Sequence, residues 1–558
     1  MIRSLLVSPR APLALVVTPL GAALLALCIA TPSAAQTVPG TESPTAQPTE
    51  PEPPATPPAI EAPAPSTAPA APTLIVVPAT PAIEPVPPPP AAASEVPPLV
   101  LPGPASDANR ARLDYSDGSF YLRAFDDNLV FVPAARMHID TYTFAGDGVG
   151  AYHRSNGTGL KTNLFFRRFV LELGGTVRKK WFYWLGGNFG PTQVDGSQAP
   201  DSTANVYDGF IGYMPVPTLR IYAGQFNAPF TMENVTSSRW LDLMERALIV
   251  RTVATPYNKA EGLLVWGETE NKSFEYQAGV FGGDGMNRPN IDNAFDGMAR
   301  LLVRPLASRS DALNRLHIGA SARYGWRNYN FVRYDAPSLA TPGGYTFWSS
   351  SSGDTHIKPY RGQLAIAGEV YVPFERFDVR GEFVYVNEGR REVSAVDADG
   401  KAVPASERGA TLRSGALRGW GGYAQVSWWI CGSPRISGNP AGLYGVLKVP
   451  EGLGKQLPYA LQLVLRGEMM RLNYDSNSRS GDLGTISAKT DNIFVNVYQA
   501  GLNYWATKHI RLSAEYSLYQ FPGKPGQTNQ AVAPGVKSKS APDASVLHEL
   551  SFRLGLAL

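Results

Sequence analysis

Cysteine is almost missing: 558 residues contain only Cys28 and Cys431, which excludes a disulfide framework and a cysteine-ligated zinc site. The six histidines (His138, His153, His317, His356, His509, His548) are scattered without metal-ligand spacing, so no metal site is expected. Charged residues make up only 17% of the chain, and 14 lysines stand against 36 arginines. Mean hydropathy is −0.14, too low for many apolar helical spans. Asp and Glu are numerous, yet no nucleophile, base and orienter can be assembled from spacing. No catalytic residue and no cofactor are expected. Glycine clusters at Gly146-Asp147-Gly148-Val149-Gly150 and Gly282-Gly283-Asp284-Gly285 do not open a helix after a buried strand, so they read as loops rather than phosphate cradles. No nucleic-acid module is present, and nucleic acid is not an expected partner.

What is abundant is unevenly placed. Arg3 and Arg10 precede a mostly apolar stretch from Ala11 to Ala30, and Ser33-Ala34-Ala35 supplies the small residues of a cleavage site. Residues 1–35 therefore read as a secretory signal peptide cleaved after Ala35. Pro12 and Pro19 argue against a permanent anchor. The exported chain would carry one thiol, Cys431, into an oxidising compartment. Residues 36–109 read as a Pro/Ala-rich disordered linker: 23 prolines lie between Thr37 and Pro104, without a single Lys or Arg. Such a tract cannot bury a core. In polyproline-II form, at ~3.1 Å per residue, it would reach on the order of 200 Å. It is a spacer, or an arm contacting cell wall or a periplasmic partner.

Residues 110–558 have one texture: short runs alternating polar and apolar residues, separated by turn residues. His317 to Arg327 sets Ile318, Ala320, Ala322, Tyr324 and Trp326 against His317, Gly319, Ser321, Arg323, Gly325 and Arg327. Ser273–Val280, Ile510–Leu518 and Leu550–Leu558 alternate in the same way. These are period-two strands. Many reach about 9–11 residues, the length of a tilted transmembrane strand. Aromatic residues at their ends (Trp181, Tyr183 and Trp184; Trp428 and Trp429; Tyr504 and Trp505) suggest interfacial girdles facing lipid. Short connections such as Thr269–Lys272 and Pro373–Arg376 alternate with long ones, about 328–359 and 388–413. The fold expected is all-β, a transmembrane antiparallel barrel of about 16 strands with short periplasmic turns and long outer loops. That size leaves an aqueous channel.

If the apolar face meets outer-membrane lipid, the other face lines the channel. It then carries Arg168, Arg220, Arg300, Arg304, Arg323, Arg327, Arg380, Arg466, Arg511 and Arg553, interleaved with Glu172, Glu275, Glu369, Glu382, Glu468, Glu515 and Glu549. Setting aside two arginines and seven acidic residues before Arg110 leaves 48 basic against 40 acidic residues in the barrel. Basic side chains in a lumen lower the barrier for anions. The alternative is that Arg and Glu pair across neighbouring strands and only brace the wall.

The stretch Gly224-Gln225-Phe226-Asn227-Ala228-Pro229-Phe230-Thr231-Met232-Glu233, followed by Ser237-Ser238-Arg239 and Asp242-Leu243-Met244-Glu245-Arg246, resembles the signature of the phosphate-selective porin O/P family. Ala135-Arg136-Met137-His138-Ile139-Asp140, Arg167-Arg168 before Gly174-Gly175-Thr176, and Gln499–Trp505 agree with it in order. The resemblance implies a 16-stranded outer-membrane barrel, commonly a homotrimer, passing phosphate or other small inorganic anions through an arginine-lined channel. It also implies that the segment after Gly-Gln-Phe folds inward as a constriction loop, bringing Arg239, Arg246 and Arg251 to the narrowest point. Arg168, Arg220, Arg323, Arg327 and Arg380 complete the expected pathway. Phosphate-binding members often carry Lys after the Ser-Ser pair; this chain has Arg239, a planar fork in place of a compact ammonium. Its last residue is Leu558 where Phe is usual. The rival functions are a general diffusion porin of weak selectivity, a barrel enzyme, and a structural tether or adhesin using the long loops.

Overall fold

The computed structural model describes residues 110–558 except 117–118, 147–148, 150–159, 161, 191–203, 256–257, 291–292, 328–335, 353–354, 395–410, 432–458, 482–483, 487, 508 and 522–545. The expected signal peptide and linker thus lie outside the described residues.

Alternation of apolar and polar residues resolves into 16 barrel strands. The first eight are β1 (Leu129–Ala145), β2 (Asn163–Val177), β3 (Trp181–Asn188), β4 (Asn205–Val216), β5 (Leu219–Asn227), β6 (Lys259–Glu268), β7 (Phe274–Phe281) and β8 (Asp296–Val303). The rest are β9 (His317–Arg327), β10 (Thr355–Pro373), β11 (Phe377–Ser394), β12 (Thr411–Cys431), β13 (Ala460–Ser476), β14 (Lys489–Trp505), β15 (Ile510–Gln520) and β16 (Val546–Ala557). Each pairs antiparallel with its neighbour, and β16 pairs with β1, with Arg553 opposite Asp140. Closure leaves no strand edge for lipid to satisfy, which is what a spanning sheet requires. A hairpin of Arg112–Ser116 and Ser119–Ala124 pairs with Leu129–Phe131, the part of β1 lying beyond the reach of β16.

The faces divide as the pattern predicts. In β9, Ile318, Tyr324 and Trp326 are exposed on the outer surface while His317, Ser321 and Arg327 are buried inside. The lengths depart from expectation: β3 to β9 have 8–12 residues and β10 to β14 have 17–21. One wall is therefore low and the other tall. The connection 432–459 departs as well, being long although its strands end on the side of the short turns.

Two further expectations are corrected. Trp428 and Tyr504 face outward at 40% and 37% exposure, but Trp429 and Trp505 point into the lumen at 3% and 6%; adjacent residues of a strand take opposite faces. The segment 336–352 does not stay outside as a surface loop. Its Leu339, Tyr345, Phe347 and Trp348 pack inside the tall wall against Val386, Leu472 and Ile493, among others. Inward-facing apolar residues of β10 to β14 are thereby removed from water.

Candidate functional site: an in-folded loop against a basic wall

The lumen is narrowed by residues 228–255, which follow β5. The motif glycine has a physical reason to be there. Gly224 sits at φ +130°, and a Cβ on it would lie 2.1 Å from the Gly209 carbonyl oxygen, so a side chain is excluded here in β5, three residues before the strand ends. The two roots of the loop are tied by Asn234, whose amide donates to the Ala228 and Asn258 carbonyls at 2.9 and 3.1 Å. Arg246 then folds the loop on itself, donating to the carbonyls of Glu233, Asn234 and Thr236 at 2.8, 3.3 and 2.8 Å.

Carboxylates of the wall capture the loop's backbone N–H groups: Glu382 accepts from Met232 and Glu233, Glu515 from Met244, and Glu468 from Leu248. Asp242 accepts from Gln425, Ser427 and Gln462 and pairs with Arg380 at 2.7 Å. Buried polar groups are thus satisfied across the lumen.

At the opposite side a basic wall meets the loop. A bulge pairs His138 with Arg168 and Ile139 with Phe166, leaving Arg167 as the extra residue. Both consecutive arginines then reach Glu245, as a bulge re-aims a side chain. Arg168 grips its two oxygens at 2.8 and 2.9 Å, the Arg167 Nε lies 3.2 Å away, and Arg553 donates at 2.9 Å while also holding Asp140 at 2.7 and 2.6 Å. Burial pushes the Glu245 carboxyl up, but Arg167, Arg168 and Arg553 outweigh it and hold it well below the usual carboxylate range. A second carboxylate, Glu172, bridges Arg136 and Arg239 at 2.7 and 2.6 Å. Lys259 completes the ring, donating to Asp208 and Asn227 at 2.6 and 2.7 Å.

Of the eight arginines expected from sequence, Arg168, Arg239 and Arg246 come together on this loop and wall. Arg380 meets the loop at Asp242, on the tall wall. Arg323 and Arg327 lie elsewhere, paired with Glu388 and Asp296. Arg323 and Lys259 line a small cavity of about 30 Å³ beside the loop roots. Arg220 stands at the short-turn end over Trp266. Arg251 is turned toward the outer side and donates to the Ala340 carbonyl of the second in-folded segment. Arg136, Arg167, Glu245 and Lys259 were not singled out as site residues. Arg136 and Arg167 had a signal, since both belong to quoted motif segments; Lys259, at the far root of the loop, had none. Among the described residues no group of three His, Cys, Asp or Glu side chains is placed to share a metal ion.

The family model of phosphate-selective porins O and P matches residues 134–337. Porin O of Pseudomonas aeruginosa is 23% identical over 413 residues, 72% of this chain and 85% of the relative. Among solved structures, an anion-selective porin from Comamonas acidovorans covers 77% of this chain and 100% of its own, at 11% identity and a TM-score of 0.42. OmpT of Vibrio cholerae covers 80% and 100%, at 9% identity and a TM-score of 0.40. With scores this low, the barrel rests on its own strand pairing.

Proposed function

The chain belongs to the phosphate-selective porin O and P family, and from that premise we propose a channel for passive diffusion of small inorganic anions, phosphate or similar, across the bacterial outer membrane. One observation carries the reading. Where the loop meets the basic wall, six cationic groups (Arg136, Arg167, Arg168, Arg239, Arg553, Lys259) face four carboxylates (Asp140, Glu172, Asp208, Glu245). The excess is positive, in a low-dielectric surround where it acts strongly on passing ions. Nothing needs to react: diffusion requires only an entrance, a narrowing and a potential.

The pairing of nearly every guanidinium supports a second reading, a general porin of weak selectivity. Arg239, in the position where phosphate binders of the family often carry lysine, is held by Glu172 and is less free to grip a passing ion. The reversal potential of the purified protein in a planar bilayer, under a salt gradient, separates the two. Anion preference weakened by Arg239→Gln supports the first; a potential near zero supports the second; cation preference overturns both. Inhibition of chloride current by phosphate tests the substrate. We further propose a homotrimer, as the family resemblance implies, measurable by light scattering in detergent, and a spacer role for residues 36–109 at the periplasmic face.

A further inference from the structure

Below the loop, on the low wall, the lumen changes character. Phe182, Phe210 and Tyr222 point inward and are half-buried, with Phe226, Trp266 and Phe281 packed behind and beside them. The row that contains Trp266 pairs with Arg220 on one side and Gln277 on the other, both lumen residues, while Ile221, Val265 and Ile211 face outward. The rings form a continuous chain. Phe182 and Phe210 lie 4.9 and 5.3 Å from Tyr222, the latter stacked at 8°. Tyr222 meets Phe226 at 5.7 Å and Trp266 at 6.0 Å, and Phe226 meets Phe281 at 5.8 Å.

Aromatic rings left partly exposed along a water-filled lumen mark a surface that something apolar contacts. On the tall wall the inward apolar residues are covered by the in-folded segment 336–352; here Phe182, Phe210 and Tyr222 stay partly exposed. Cations stand at both ends of the stripe. At the loop end Tyr207 lies under Arg136 and Lys259, 5.0 and 4.2 Å from its ring. At the short-turn end the Arg220 guanidinium lies 4.1 Å over Trp266; its ion pair with Glu268 is long, 3.9 Å, and its Nη1 donates no hydrogen bond.

We propose that this stripe, running between two cationic points, is a path for anions that carry a flat apolar body, with aromatic carboxylates as the class it fits. The ring of the solute stacks along Tyr222 and its neighbours while the carboxylate passes from the loop cations to Arg220. This inference rests on the anion-channel reading and extends its substrate class from inorganic anions to aromatic carboxylates.

The test is block of chloride current by benzoate and by acetate, the same charge with and without a ring, through the full-length protein in a planar bilayer. Half-block by benzoate is expected at a concentration about tenfold below that for acetate, the factor one added aromatic pair supplies. Tyr222→Leu and Phe182→Leu should each bring the two solutes within about twofold. Two variants guard against one failing to insert. Equal block by benzoate and acetate in the unaltered protein overturns the proposal. So does a benzoate advantage that survives both substitutions. Cation preference in the salt-gradient measurement would instead sink the underlying channel reading, and the two failures are told apart by that potential.

Discussion

Glu245 gathers Arg167, Arg168 and Arg553 around one carboxylate. Three guanidiniums so placed repel one another unless the anion stays charged. Glu245→Gln keeps the shape and removes the charge, so a cost of about 3–5 kcal/mol is expected, the usual consequence of breaking a buried pair from one side. A lower midpoint of urea unfolding in detergent checks it. The same group gives a pH expectation. Its folded carboxyl titrates below the ordinary value of ~4.3, so the clamp contributes fully above the unfolded value and is lost only as pH falls through the lower, folded one. Protease resistance of the loop should therefore hold from pH 7 to about 4.3 and fail in stronger acid; failure near pH 6 would contradict the clamp. At Gly224, an alanine would meet both a positive φ and the Gly209 carbonyl. Gly224→Ala is expected to cost about 1–3 kcal/mol, seen as a reduced yield of folded barrel.

At the scale of elements, period-two alternation made the strands and their faces legible, because lipid on one side and water on the other sort side chains strictly. The loop was legible through its motif. Other features were not. The bulge at Arg167 depends on pairing with β1, and alternation read one strand at a time cannot reveal an extra residue. Trp429 and Trp505 were misread as girdle residues although Trp428 and Tyr504 beside them already occupied the outer face. Segment 336–352 looked like a surface loop because its apolar residues show no period; only the apolar lumen face of β10 to β14 explains their burial. That segment is held by Thr341 and Gly343 donating to Glu549, by Trp348 donating to Asp491, and by Arg251. Deleting residues 338–350 should raise single-channel conductance in a bilayer without changing the sign of selectivity, since the basic ring at Glu172 and Glu245 is untouched.

Considered whole, the molecule sets a low wall, bearing the aromatic stripe, against a tall one whose apolar inner face is roofed by its own loop. Charge is similarly divided, with guanidiniums converging on β1, β2 and β16 while wall carboxylates opposite them accept from the loop backbone. A single arginine tells little about selectivity when its partner carboxylate is a strand away. Reversal potentials should therefore shift further on neutralising Glu172, which uncovers both Arg136 and Arg239, than on neutralising Arg239 alone; an equal and opposite pair of shifts would contradict this.

Arg553 belongs to the last strand, and its partners Asp140 and Glu245 lie 413 and 308 residues earlier in the chain. Contacts of such separation form late, after the costly closure of the longest loop. The narrowing therefore cannot reach its final shape while the seam is open: until β16 docks beside β1, Glu245 lacks one of its three cations. A nascent barrel would pass through a wide, poorly selective stage, and the act that seals the wall is also the act that sets the gauge of the pore.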